Sequence, residues 1–247
     1  MPNKPYTLFN IQALRAIAAI LVVMHHAFPH YQATGTTVSW IESISNWGFV
    51  GVDIFFIISG FIMAYTTFDK PRGLTSAKIF FKHRIFRIYL GYWPFFIAMT
   101  ALLIVTDRIH SLDILGSFLL YNPDMFQIIL PISWSLTYEL YFYLLFLVTF
   151  LFTRKQLYIY IPIFILILLV LILSSSYKIF LPLNFLYSPF LLEFFMGVLL
   201  YMFRSYLMHS WVLIFAIILM LVTFIYGVEH ESKNGLIRIL SFGTSAF

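Results

Sequence analysis

Long apolar runs separated by short polar or basic stretches set the pattern of this chain. Full-length runs fall at about 9–29, 48–67, 86–106, 133–152, 157–173, 186–203 and 211–228, and another opens near Gly235. A hydrocarbon layer of ~30 Å takes about 20 apolar residues per helix, so each run predicts a membrane-spanning helix. The segment at about 112–121 is apolar but too short to cross, and it stops at Asn122-Pro123-Asp124. The expected fold is an all-α, polytopic transmembrane bundle of about eight spans plus one re-entrant or interfacial segment, read as a single domain over residues 1–247. Lys4 precedes the first run, but that run exceeds the 7–15 residues of a signal h-region, so it is read as a retained helix.

Composition strengthens the pattern. Apolar residues make up 62% of the chain and charged residues 10%, whereas soluble domains have roughly 45–50% and 25%. The net charge of +5 lies between the apolar runs, so it reads as membrane orientation and calls for no nucleic acid. Lys70, Arg72, Lys78, Lys82, His83, Arg84 and Arg87 form one basic stretch and Arg154-Lys155 another. The positive-inside rule makes both cytoplasmic. Only one crossing out and one back then fit between them, which keeps the 112–121 segment from spanning. The N-terminus is expected inside and the 174–185 loop outside. With no cysteine there is neither a disulfide nor a thiolate metal site, and no metal is expected.

Ionisable residues inside the apolar runs are the candidates for chemistry, because Arg at a helix centre costs about 2.5–3.5 kcal/mol on insertion scales. The first run holds Arg15, His25 and His26. Arg15 and His26 are eleven residues apart, three turns with ~20° left over, so they share a face ~16 Å apart along the axis, and His25 points ~100° away. Arg84 and Arg87 share a face at the inner mouth of the third span. Arginine forks suit phosphate, although spacing alone favours a headgroup anchor. Asp53, near the outer end of the second span, reads equally as an N-cap or as a partner for a histidine. Ser59 and Gly60 read as packing residues. Glu139, in the outer half of the 133–152 run, needs a partner or a wet cavity. It lies at the expected depth of His26, which suggests acid/base work, a structural ion pair or a proton relay. Glu193 is a further intramembrane carboxylate without an assigned role.

Four stretches carry a resemblance to a known family: Asn10-Ile-Gln-Ala-Leu-Arg15 through His26, Gly51-Val-Asp-Ile-Phe-Phe-Ile-Ile-Ser-Gly-Phe-Ile-Met63, Arg84-Ile-Phe-Arg87-Ile-Tyr-Leu-Gly-Tyr-Trp93, and Trp134-Ser-Leu-Thr-Tyr-Glu139. In this order, across the first part of the chain, they resemble the acyltransferase 3 family of membrane-bound O-acyltransferases, closest to exopolysaccharide-production acetyltransferases. The resemblance implies a cytoplasmic acyl-CoA donor, usually acetyl-CoA, and a glycan or lipid-linked sugar hydroxyl as acceptor at the outer half of a bacterial-type inner membrane. The family's arginine–ten residues–histidine motif falls on Arg15 and His26, and its Arg-x-x-Arg motif on Arg84 and Arg87, raising phosphate binding above the anchor reading. The implied catalytic group is His26 with Glu139 or Asp53 to orient it, and the implied donor site is Arg15, Arg84 and Arg87. Leu90 stands where the family commonly has proline. The family usually has further spans, so the chain is expected to lack the last helices. Two other readings stand beside the enzyme: a non-catalytic truncated remnant, and a proton-coupled transporter using the same groups.

Overall fold

The computed structural model describes residues 6–32, 35, 39–174 and 188–207. Among these residues the secondary structure is all helical: α1 (Tyr6–Gln32), α2 (Ser39–Trp47), α3 (Val50–Thr67), α4 (Leu74–Val105), α5 (Ile114–Leu119), α6 (Trp134–Leu147), α7 (Arg154–Ser174) and α8 (Pro189–Leu207). Tight 3-10 turns at Pro131–Ser133 and Val148–Leu151 flank α6. Five helical stretches are long and apolar enough to cross a membrane: Phe9–Phe28, Val50–Thr67, Leu74–Val105, Pro131–Leu151 and Arg154–Ile172. They coincide with the first five expected spans, and the chain is a membrane protein. The 186–203 run falls on α8, apart from residues 186 and 187. The runs at 211–228 and from Gly235 lie outside the described residues.

Two boundaries depart from the sequence reading. The polar loop before the second span contains α2. The basic stretch before the third span is not a loop: α4 starts at Leu74, just after Gly73 at φ 107°, and runs 32 residues. Lysine and arginine are good helix formers and neither Gly nor Pro interrupts 74–90, so nothing stops the helix there. At 1.5 Å per residue α4 is ~48 Å long, well beyond a ~30 Å hydrocarbon layer.

The helices gather into two compact units, with α1–α3, most of α7 and α8 in the first and Asp69–Tyr160 in the second. In the first unit α1 and α3 are antiparallel, since Gly48 faces Leu21 and His25 while Gly51 faces Ala18 and Val22. α3 and α8 run parallel. Phe56 meets Phe190 with ring centroids 5.2 Å apart, and further along Phe68 meets Tyr201 at 5.4 Å. Reciprocal glycines close this seam: Gly60 lies on the backbone carbonyl of Phe194, and Gly197 on that of Ile57. A side chain at either would strike backbone, which cannot swing aside. Close approach of this kind is how helices associate where apolar burial gives little drive. Hydroxyls along these helices bond their own backbone, as Thr67 does to the Met63 carbonyl at 2.6 Å, so no solvent is needed to satisfy them.

The second unit is a hairpin with a folded-back tip. Asp113 caps α5 by accepting from the Gly116 amide at 2.7 Å, and Leu120 ends it at φ 54°. Tyr92 and Tyr89 donate to the Ser117 and Leu119 carbonyls at 2.8 and 2.7 Å, and the Trp93 and Phe118 rings stack 5.2 Å apart. These anchors are ~20 Å back along α4 from its end at Val105. The 112–121 segment thus lies back along α4. Ser117 Oγ completes the turn by accepting from the Ile129 amide at 2.9 Å. At the other end Asp69 pairs with Arg154 at 2.6 Å, and the Gly73 amide donates to the Phe150 carbonyl at 3.0 Å. Burial, with Phe150 beneath it, and the charge of Arg154 hold the Arg72 guanidinium below its ordinary pKa, against the opposing pull of Asp69.

Gly60→Ala and Gly197→Ala should each destabilise the protein by about 1–3 kcal/mol, the usual cost of overpacking. Gly91→Ala, where an added methyl meets nothing within 4 Å, should change little. Thermal unfolding of the detergent-solubilised protein checks the contrast.

Candidate active site

The site residues of the first unit stand on α1 and α3. α1 is unbroken from Arg15 to His26, so the shared face and ~16 Å separation follow from its geometry. Arg15 is half-buried and His26 exposed. The two adjacent histidines are used differently. His25 turns inward, and its Nδ1 lies 2.7 Å from the Ser45 carbonyl, tying α2 to α1. Its ring packs edge-on against Phe49 and His26, at 6.0 and 5.4 Å. His26 Nδ1 lies 2.8 Å from the Val22 carbonyl one turn below. A carbonyl can only accept, so Nδ1 carries the hydrogen in both rings and the lone pair of the neutral imidazole is on Nε2. His26 thus presents its basic nitrogen on an exposed edge.

Asp53 is fully buried in the first turn of α3. It is not the N-cap, a place held by Phe49 without a side-chain bond. The carboxylate lies inside the turn, where the helix N-terminus favours negative charge. The α1/α3 register sets Asp53 level with about Ala18, two turns of α1 short of His26. The structure therefore does not bring these two together at one level. Glu193 is also fully buried, on α8 at the α3 seam.

The second unit gathers Arg84, Arg87 and Glu139. Because the tip folds back along α4, α6 begins near the level of Tyr92 and runs antiparallel to the basic half of α4. Glu139 consequently lies near the arginine pair. The sequence reading put it in the outer half of its span and the pair at the inner mouth, and did not expect the two to meet. Tyr143, 1% exposed, joins the charged groups. Its hydroxyl donates to Glu139 Oε1 one turn away on α6. The Arg84 guanidinium carbon stands 5.6 Å over the Tyr143 ring and 5.6 Å over the Phe80 ring. The Tyr143 hydroxyl also interacts with the Arg84 side chain, and the charges of Glu139 and Arg87 reach Arg84. Phe80 rests in turn on Phe146 and Phe150, at 5.8 and 5.3 Å. Arg87, on the same side of α4, is exposed. Sequence reasoning missed Tyr143, although its i,i+4 spacing from Glu139 on a helix was a usable sign. Among the described residues no cluster of three His, Cys, Asp or Glu could hold a metal ion.

This arrangement offers an exposed imidazole base in one unit and, in the other, a held guanidinium beside a second arginine. Comparison with known proteins assigns the chemistry class. The family model for acyltransferase 3, described as an acyltransferase domain, matches residues 8–240. The chain belongs to the acyltransferase 3 family. That match includes every candidate above. The chain is also similar to the acyltransferase MdmB of Streptomyces mycarofaciens, at 30% identity over 166 residues. The aligned region covers 63% of this chain and 42% of that protein, so the chain spans less than half the length of this curated relative. No solved structure gives a significant match.

The histidine pair generates a prediction on stability. His25→Ala removes the tie to Ser45 and should cost about 1 kcal/mol, the net worth of a typical hydrogen bond, with faster hydrogen exchange in α2. His26→Ala should leave both α2 exchange and the melting temperature unchanged. Hydrogen-exchange mass spectrometry separates the two.

Proposed function

We propose that this acyltransferase moves an acyl group, acetyl in the first instance, from cytoplasmic acyl-CoA to a hydroxyl of a surface or exopolysaccharide sugar at the outer half of a bacterial-type inner membrane. The N-terminus would be cytoplasmic, as the basic stretches require under the positive-inside rule. The observation that carries the reading is the His26 tautomer, with Nδ1 bonded to Val22 and Nε2 left as an exposed base. In the proposed step Nε2 takes the proton of the acceptor hydroxyl as its oxygen attacks the thioester carbonyl. The C–S bond breaks, the ester forms, and the CoA thiolate leaves with the proton returned by the imidazolium.

Arg84 and Arg87 bind the CoA phosphates as charge-assisted donors, and Arg15 lines the donor path on the His26 face. Glu139 belongs with the arginines at the donor end. Asp53, buried at the Ala18 level, supports the helix pair that carries Arg15 and His26.

His26→Ala should lower acetyl transfer to cell-surface polysaccharide by at least ~100-fold, within the usual range for a general base. Undiminished transfer would remove His26 from the mechanism. Arg84→Ala/Arg87→Ala should raise the KM for acetyl-CoA with a smaller effect on kcat, and an unchanged KM would return the pair to a topological role.

A further inference from the structure

α2 lies between two spans, after α1 ends at Gln32 and before α3 starts at Val50. Because α1 and α3 run antiparallel and both are long and apolar enough to cross, α2 lies at one face of the membrane. We infer that α2 is an interfacial helix: its Trp40–Ile44 flank sits in the headgroup–acyl boundary of the bilayer, and its tie to His25 holds His26 at that level. The anchor is independent of the proposed reaction, and its consequence for the acceptor rests on that reading.

The helix divides three ways around its axis. At 100° per residue Ser45 stands ~140° from Trp40. Ser45 is buried, 2% exposed, and its carbonyl accepts from His25 Nδ1 at 2.7 Å. Gly48, just past the end of α2, abuts Leu21 and His25. This is the side against α1. Trp40, Ile44 and Trp47 fall within ~60° of one another on a second side, where Trp40 is 61% and Ile44 39% exposed. Asn46 is exposed on a third side, ~100° beyond Trp47 and ~160° from Ile44. A helix lying in the plane of a bilayer surface needs all three: a protein side, an apolar side and a wet side. Tryptophan suits that depth, since its ring is apolar and its N–H reaches water. A second copy of the chain is the competing occupant. Trp40 and Ile44 together offer no more than about 300 Å², well short of the roughly 800 Å² per partner of a standard interface.

His25 and His26 are adjacent, so the bond from His25 to Ser45 fixes the depth of both rings relative to α2. His26 Nε2 then opens at headgroup level, where a sugar carried on a lipid of that leaflet presents its hydroxyls. The acceptor class is accordingly a lipid-linked sugar.

The chain has no cysteine, so Ile44→Cys, Asn46→Cys and Ala27→Cys, each in the full chain, take one nitroxide label apiece. In vesicles of phosphatidylethanolamine and phosphatidylglycerol, collision with oxygen, which concentrates in lipid, is compared with collision with a water-soluble nickel chelate. The oxygen-to-nickel ratio for Ile44→Cys should exceed that for Asn46→Cys at least about fivefold, at a depth of about 5–10 Å. The label at Ala27, exposed and next to His26, should lie no deeper than about 10 Å. Equal nickel access at 44 and 46 would overturn the anchor. Exclusion of both reagents at 44 would do so too, by showing protein on that flank. A deeper label at 27 would break the link to His26. Acetyl transfer supplies a separate arm, with hexadecyl glucoside in the vesicles and glucose in water as acceptors. Trp40→Ser/Ile44→Ser should lower transfer to the lipid-linked sugar at least about fivefold and transfer to glucose less than about twofold. An equal loss on both overturns the acceptor class. If wild type transfers to neither, the proposed reaction fails, and the label depths alone decide the anchor.

Discussion

A cation carried into the packed side of a helix hairpin has to be matched where it lies, because removing it from water costs several kcal/mol even after relaxation. Arg84 is that cation, and the second unit is arranged around it. Two aromatic faces cover the guanidinium, at 5.6 Å each, and a phenol links it to a carboxylate. This arrangement requires α6 to start where it does. Were the tip to extend straight on from Val105, α6 would meet the apolar end of α4 and Glu139 would lie far from any arginine. The fold-back pinned by Tyr89, Tyr92 and Trp93 sets the register, so three aromatic side chains on α4 determine which charges meet at Arg84, five to nine residues earlier on the same helix.

The first unit meets the opposite need, which is to leave a group open. Adjacent histidines on a helix point ~100° apart, so one can serve structure while its neighbour faces outward. His25 holds α2 through Ser45, and α2 fixes the segment that leads into α3. Gly48 and Gly51, at the start of α3, then admit α1 closely enough to seat Asp53 at the Ala18 level. A tether at His25, an approach at two glycines and a buried carboxylate thus form one chain of causes, and they fix the helix on which His26 stands.

The sequence made legible what depends on a single helix. Apolar run length located the first five spans to within a few residues, apart from the start of α4. Eleven-residue spacing put Arg15 and His26 on one face, and the phase of His25 separated it from His26. Legibility failed where two elements had to be placed against each other. Glu139 was not read as a neighbour of Arg84, because a residue count assumes straight crossings and the fold-back between Asp113 and Ser133 breaks that assumption. Asp53 was read as a possible N-cap because its place before an apolar run looked like a helix start, whereas the helix begins three residues earlier at Val50. The basic stretch from Lys78 to Arg87 looked like a loop because hydropathy marks where a helix leaves lipid, not where its hydrogen bonds end. Tyr143 carried no charge and broke no apolar pattern, so its i,i+4 spacing from Glu139 was the one sign of it in the sequence.

The candidate groups are each held by a named neighbour. His26 is fixed through Nδ1, which leaves Nε2 as the base. Glu139 is fixed through Oε1 by a phenol on its own helix. Arg84 is held between the Phe80 and Tyr143 rings, and the Tyr143 hydroxyl reaches its side chain as well. For His26 the restraint acts on a nitrogen other than the one that would meet a substrate. Pre-organisation requires this, because a side chain held by its reactive atom is satisfied and inert, and one held by nothing loses binding energy to its own ordering. Buried Asp53 and Glu193 lie in helix seams and present no such open edge. That difference in burial separates them from His26 and Arg87, which are exposed, and from half-buried Arg84.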